Sequence, residues 1–366
     1  MKIALVHDYL GEFGGAERVL LTLSEMYPDA PIYTAFWRPG KAYDRFKDKK
    51  VYTSWVHRIP GFARRLHSPL RFLAPTIWNS FDFSQYDVII GSASWYITKG
   101  FRNKGKAIEI CYCHTPPRWL YGYATSKQSI FAKAYAAVVG FFMRQYDYES
   151  AQRVNYFIAN SNETARRIKK FYRRESVVIY PPLTVHSSQV KVHSKKKDYY
   201  LIVSRLAQPK NIDIAIAVSK KLNLMLKIVG TGPDEARLRA LVGGANVEFL
   251  GHVSDNELPA LYAGAKAFLA LATDEDFGMT PVEAMAAGTP VIAFRGGGYT
   301  ESVIEGKTGV FVDSLTVEGV AQTIRSFKQR TFSPRDCIIQ AEVFSKQRFI
   351  EKMRAFVDDH GSVVLG

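Results

Sequence analysis

Short apolar runs recur along the chain, each followed by a glycine-bearing or polar break and then by apolar residues at helical spacing. The first run, Ile3-Ala4-Leu5-Val6, has no polar alternation, the pattern of a strand buried on both faces in a parallel sheet. A loop holding Gly11, Gly14 and Gly15 follows, then a helical stretch over 16–26 with Val19, Leu20 and Leu23 on one face. Further strands are predicted over 88–90, 107–112, 156–159 and 177–180, with a helix over 163–172. Pro181-Pro182 ends this series, and 184–198 is polar and lysine-rich, the composition of a linker. A second series follows, with strands over 200–203, 226–229, 247–250, 267–271 and 291–294. Helices over 212–222, 233–241, 255–263 and 281–287 separate them.

Strands alternating with helices require right-handed crossovers and a parallel sheet. A chain of 366 residues also exceeds what one core organises. The fold class expected is α/β with two Rossmann-like, doubly wound domains, 1–183 and 199–345, facing a central cleft at the carboxyl ends of their strands.

Composition narrows the classes. Hydrophobic residues are 47% and charged residues 23%, a globular balance. The longest apolar run, Ala134 to Met143, is bracketed by Lys133 and Arg144 and falls short of the roughly 18–20 residues that span a bilayer. The run at Ile3 is too short for a signal peptide. Three cysteines, Cys111, Cys113 and Cys337, make no disulfide framework, and a cytoplasmic location is expected.

Charge is uneven. Residues 1–190 hold 27 Lys and Arg against 14 Asp and Glu, whereas 191–366 hold 22 against 20. A basic first half faces a polyanion, either nucleic acid or an anionic membrane. No helix-turn-helix, RRM, KH or zinc module accompanies the charge, so no nucleic-acid partner is expected. The stretch 55–81 interleaves Trp55, Arg58, Arg64, Arg65, Arg71 and Trp78 with no acidic residue, a pattern suited to the inner face of the cytoplasmic membrane. A second basic run, Arg166 to Arg174, reads equally as a solvated helix face.

The candidate chemistry centres on Asp274-Glu275-Asp276-Phe277-Gly278-Met279-Thr280-Pro281-Val282-Glu283. Two carboxylates, Glu275 and Glu283, bracket a loop that turns into a helix near Pro281, a residue suited to helix entry. The N–H groups of Gly278, Met279 and Thr280 at that helix start make an anion site fit for a diphosphate. An acidic cap with no ligand is the plain alternative. Arg205 and Lys210 lie on a strand exit where both reach one phosphate, or else form a solvated pair. His114 closes a strand, a position more often structural than catalytic. Gly14 and Gly15 lack the dinucleotide spacing and serve either a turn or a close backbone approach. Asp274-x-Asp276 and Cys111-x-Cys113-His114 are weak metal patterns, so no metal is expected.

The Glu275 to Glu283 stretch resembles the Glu-x7-Glu motif of retaining GT-B glycosyltransferases of family 4. The resemblance extends along most of the chain, through Gly14-Gly15-Ala16-Glu17-Arg18, Tyr112-Cys113-His114-Thr115-Pro116-Pro117 and Ala159-Asn160-Ser161. It continues through Ser204-Arg205-Leu206 with Lys210, Gly230-Thr231-Gly232-Pro233, Phe249-Leu250-Gly251 and Ala286-Ala287-Gly288-Thr289-Pro290. Among members, bacterial O-antigen and exopolysaccharide mannosyltransferases that use GDP-mannose are the most similar. The resemblance implies a nucleotide-sugar donor, GDP-mannose, and a lipid-linked glycan acceptor, without cofactor. It implies that Glu275 orients the donor sugar, Glu283 the ribose, Arg205 and Lys210 the phosphates, and His114 the sugar from the first domain. It assigns Phe277, Gly278, Met279, Thr280, Gly14 and Gly15 to donor binding, and brings residues 346–366 back to the first domain as a helix. A UDP-sugar transferase with a soluble acceptor remains the alternative.

Overall fold

In the computed structural model, residues 1–11, 13–123, 130–183 and 196–361 are described. They form two units, one of residues 1–123, 130–182 and 346–361, the other of residue 183 and 196–345. Most of the stretch read as a linker, 184–198, lies outside the described residues.

The first unit is built on a seven-stranded parallel sheet of β1 (Ile3–His7), β2 (Ile32–Thr34), β3 (Val51–Thr53), β4 (Val88–Ala93), β5 (Ile108–Cys113), β6 (Tyr156–Ala159) and β7 (Val177–Val178). Its order is β3-β2-β1-β4-β5-β6-β7, so the winding reverses between β1 and β4. Every residue of β1 and β4 is buried, which is why their leading residues, 3–6 and 88–90, read as unbroken apolar runs. β2 and β3 escape the sequence pattern because each is three residues long, and β3 is an edge strand that buries none of its residues.

The second unit holds a six-stranded parallel sheet of β8 (Tyr200–Val203), β9 (Leu226–Val229), β10 (Val247–Gly251), β11 (Ala267–Ala270), β12 (Val291–Phe294) and β13 (Gly309–Val312). The order is β10-β9-β8-β11-β12-β13, with its reversal between β8 and β11. Both sheets are doubly wound, each with its own apolar core.

The helix Lys346–Gly361 packs Phe349, Met353 and Val357 among Leu20, Leu23 and Tyr112 of the first unit. The run noted at Ala134 belongs to a long helix, Ile130–Arg153, which the sequence pattern did not set apart as an element. No helix among the described residues is long and apolar enough to cross a membrane.

Candidate functional site

In the second unit, the two strands that flank the winding reversal present their carboxyl-end loops side by side. The loop after β8 carries Arg205 and Lys210, and the loop after β11 carries Glu275. Two bonds stitch the loops together. Thr273 N–H donates to the Pro209 carbonyl at 3.1 Å, and the Asn211 amide donates to the Leu271 carbonyl at 2.8 Å. Asn211 and Asp274 turn the backbone through positive φ, +51° and +55°, a region that Asn and Asp tolerate better than most side chains. The Lys210 ammonium donates to Glu275 Oε2 at 2.6 Å, so two residues 65 apart in sequence form one ion pair. Arg205 stays exposed on the same loop.

Glycines set how closely this site is backed. Gly230 has φ +127°, and a Cβ there would stand 1.9 Å from the Ser204 carbonyl oxygen, so only glycine lets β9 close against the Arg205 loop. Gly297, at φ +55°, would place a Cβ 2.2 Å from the Glu275 carbonyl oxygen. Gly298 N–H donates to that oxygen at 3.0 Å, and the Tyr299 hydroxyl reaches Glu275 Oε2 at 3.5 Å. The run Gly296-Gly297-Gly298 after β12 therefore supports Glu275 from behind. Sequence reasoning passed over it, although three consecutive glycines at a strand end are a visible signal.

Gly278 precedes the helix Met279–Ala286, whose first-turn N–H groups are of the kind an α-helix leaves unpaired. Pro281 falls within that first turn and withholds no intrahelical bond there. Glu283 is buried, and its Oε2 accepts from the Tyr262 hydroxyl at 2.8 Å. Phe277 lies in the core with its ring 5.3 Å from that of Phe344, so its side chain serves packing, contrary to the donor contact expected.

In the first unit, the same strand logic assembles a polar chain. Parallel register sets His7 beside Ser92, and His114 N–H donates to the Ala93 carbonyl at 2.9 Å. The Ser92 hydroxyl sits 3.0 Å from His7 Nδ1 and 2.8 Å from His114 Nε2. His7 Nε2 lies 3.6 Å from Glu17 Oε1, and Glu17 Oε2 accepts from Gly14 N–H at 2.8 Å. Which ring nitrogens donate to Ser92 and which accept depends on the tautomers of the two histidines. Burial, with His7 adding to it and Asp8 opposing, lowers the His114 pKa to about 3, so the ring stays neutral near pH 7.

His7 and Ser92 carried no signal in the sequence, since single polar residues in apolar strands have no spacing. Gly14 keeps φ at −117° and gives its N–H to Glu17, so that group is already bonded within the helix cap. The helix Asn162–Tyr172 fastens the turn after β5, with Thr164 Oγ1 donating to the His114 carbonyl at 3.2 Å and buried Arg167 donating to Thr115 Oγ1 at 3.3 Å. Arg174 likewise donates to the carbonyls of Ala151 and Val154, at 2.9 and 2.8 Å. These two cations of the second basic run thus hold the fold together.

The stretch 55–81 divides. Trp55, Arg58, Arg64 and Arg65 are exposed. Trp78 is 1% exposed, and its indole N–H donates to the Tyr96 carbonyl at 2.8 Å, which corrects its reading as a membrane-facing residue. Arg71 needs the same correction. Its guanidinium lies 4.0 Å from the Trp119 ring centroid, 4.9 Å from that of Tyr135 and 5.2 Å from that of Trp95, and burial lowers its pKa. An arginine spends its charge this way in cation–π contacts inside the protein. Cys111 and Cys113 are buried, and no cluster of three or more metal-ligating side chains occurs among the described residues.

Comparison with known proteins matches residues 13–186 to the model described as Glycosyltransferase Family 4 and residues 186–343 to that described as Glycosyl transferases group 1. The chain is 26% identical to an alpha-1,3/1,6-mannosyltransferase of Homo sapiens, across 97% of this chain and 95% of that one. It is 36% identical to a Mycobacterium tuberculosis glycogen synthase, over only 34% of this chain and 33% of the relative. Among solved structures, Anabaena Alr3699/HepE in complex with UDP-glucose superposes with a TM-score of 0.73, at 18% identity, over 98% of this chain and 100% of that one. Sucrose-phosphate synthase from Thermosynechococcus elongatus gives 0.72, at 14% identity, over 98% and 99%.

Proposed function

We propose a donor, an acceptor and a mechanism for a chain that belongs to the family 4 glycosyltransferases of GT-B fold. The chain transfers mannose from GDP-mannose, with retention, to a lipid-linked glycan in cell-surface polysaccharide synthesis, working from the cytoplasmic side of an anionic membrane. The observation that carries the chemistry is the Lys210–Glu275 pair at the winding reversal of the second unit, with Arg205 on the same loop. The relatives named as mannosyltransferases, similar over 84% and 97% of this chain, support the sugar.

Departure of the nucleoside diphosphate leaves negative charge on its terminal phosphate. Fixed cations there stabilise the transition state more than the ground state. Arg205 supplies one. Lys210 supplies the other, because an ammonium has three N–H donors and the bond to Glu275 engages one of them. The first turn of the helix Met279–Ala286 adds backbone N–H groups and the positive end of its dipole. Glu275 accepts from hydroxyls of the sugar, and Glu283 from the ribose. The His114 ring, neutral near pH 7, takes a hydroxyl of the sugar. The acceptor hydroxyl attacks the anomeric carbon on the face from which the diphosphate leaves, and a phosphate oxygen takes its proton, so the configuration is kept. These groups offset the charge of the leaving group without a metal ion.

A second reading, a UDP-sugar donor with a soluble acceptor, draws on the solved neighbours bound to UDP and UDP-glucose. Thermal unfolding with GDP-mannose, GDP, UDP-glucose and UDP-N-acetylglucosamine separates the two, since a ligand that binds the folded state raises the apparent Tm. A shift with GDP and GDP-mannose alone is expected, together with mannose transfer that persists in EDTA. A shift confined to the UDP compounds would replace the donor. Loss of transfer in EDTA, restored by Mg²⁺, would make Asp274 and Asp276 metal ligands.

A further inference from the structure

The helix Ile130–Arg153 has an inner face made of Tyr135, Val139, Met143 and Tyr146, packed in the core that includes Trp119 and Leu120. Its opposite face changes character along the axis. Over the first turns it shows Ala134, Ala137, Val138, Phe141 and Phe142, all exposed. Over the later turns it shows Gln145, Glu149 and Gln152. Val138, Phe141 and Phe142 are 66%, 67% and 70% exposed, the highest values among the large apolar side chains described. The two phenyl rings meet edge-on at 5.4 Å, so they form one patch. Single exposed apolar residues need no explanation, but three such side chains within five positions do.

The charge of the unit indicates what covers this patch. The Arg71 guanidinium lies 4.9 Å from the Tyr135 ring centroid, which seats the start of the helix beside the turn Arg71–Leu73. Exposed Phe72 is on that turn, and exposed Leu66 closes the preceding turn Phe62–Leu66. Arg58, Arg64 and Arg65 of the same stretch are exposed too. Residues 51–190 carry 19 basic against 7 acidic side chains. Two copies of the chain meeting here would set like charges together, whereas an anionic bilayer is complementary in charge and takes aromatic side chains at its interface. Ala134 to Phe142 covers about 13 Å of helix, enough to lie in that interface and too short to cross it.

We infer that the apolar half of the helix Ile130–Arg153, through Val138, Phe141 and Phe142, inserts into the interfacial layer of an anionic bilayer, with the exposed arginines at 58, 64 and 65 of the same unit adding charge attraction. The inference deepens the membrane part of the proposed function and rests on it. It assigns salt-insensitive binding to the phenyl rings and salt-sensitive binding to the arginines.

The test is sedimentation of the full chain with vesicles of phosphatidylcholine alone or mixed with phosphatidylglycerol, at low and high salt. Parallel thermal shifts with GDP-mannose report folding and the nucleotide site, and light scattering reports mass. The chain is expected to bind the anionic vesicles. The double variant Phe141→Ser/Phe142→Ser should bind at least about tenfold more weakly at both salts, with unchanged Tm and nucleotide shift. The triple variant Arg58→Ser/Arg64→Ser/Arg65→Ser should bind more weakly at low salt, down to the level of the unaltered chain at high salt, and should match the unaltered chain at high salt. Unchanged binding of the phenylalanine variant would overturn the helix as the insertion site while leaving a membrane role to the arginines. No binding of the unaltered chain to anionic vesicles would overturn both, with the GDP-mannose shift still deciding the transferase reading. A dimer of the unaltered chain that the phenylalanine variant converts to monomer would show that a second copy covers the patch.

Discussion

Lys210 is held by Glu275 at 2.6 Å in a half-buried setting, with Arg205 exposed on the same loop. Replacing either cation with alanine should lower turnover by about 10²–10³, the usual cost of removing one fixed donor from a developing anion. Lys210→Ala also leaves the Glu275 carboxylate without this partner, so it should weaken donor binding more than Arg205→Ala does. Steady-state kinetics with GDP-mannose check both, and near-native turnover in both variants would remove the phosphate role. His114 gives a prediction with a sign. Its folded pKa of about 3 lies below the usual 6.5, so the folded state excludes the proton that the unfolded chain takes up. The stability this adds is complete above pH 6.5 and is lost as pH falls from there towards 3. At about 1.4 kcal/mol per pH unit, the loss between pH 7.5 and 4.5 is about 3 kcal/mol. Urea unfolding at those two pH values should show it, and His114→Gln should shrink the difference by that amount. An equal pH dependence in both proteins would mean that the ring is protonated in the fold.

Among the elements, the strand ends decide what reaches the site, and the glycine loops behind them decide how rigidly it is held. Gly297→Ala meets two costs, a positive φ and a Cβ 2.2 Å from the Glu275 carbonyl oxygen. Gly306→Ala meets one, since φ is +74° there but nothing lies within 4 Å. The Gly306 variant should lose about 1 kcal/mol from its backbone strain. The Gly297 variant should lose more, and should also weaken donor binding by displacing Glu275. Thermal unfolding with and without nucleotide separates these outcomes, and equal behaviour of the two variants would rule out the support assigned to Gly297. The β8, β11 and β12 strands were legible because a parallel strand buried on both faces must be continuously apolar. β2 and β3 were not, because three residues give no period to read.

Over the whole molecule, the sequence by itself determined the alternation of strand and helix, two doubly wound units and the excess of positive charge in the first half. It also brought Glu275, Glu283, Arg205, Lys210 and His114 forward as candidates. Backbone pattern and motif spacing are local, so one dimension suffices to read them. Tertiary structure alone decided which charges serve the fold and which face solvent. Arg71, Arg167 and Arg174 sit in basic stretches yet are taken up by aromatic rings, a buried hydroxyl and backbone carbonyls, while Arg58, Arg64 and Arg65 stay outside. Trp55 and Trp78 look alike in sequence, but one is 42% exposed and the other 1%. The pairing of Lys210 with Glu275, the chain from Glu17 through His7 and Ser92 to His114, and the exposed phenyl rings at 141 and 142 come from the same source. Each depends on which strands lie side by side or on which face of a helix is covered, and residues far apart in sequence set both.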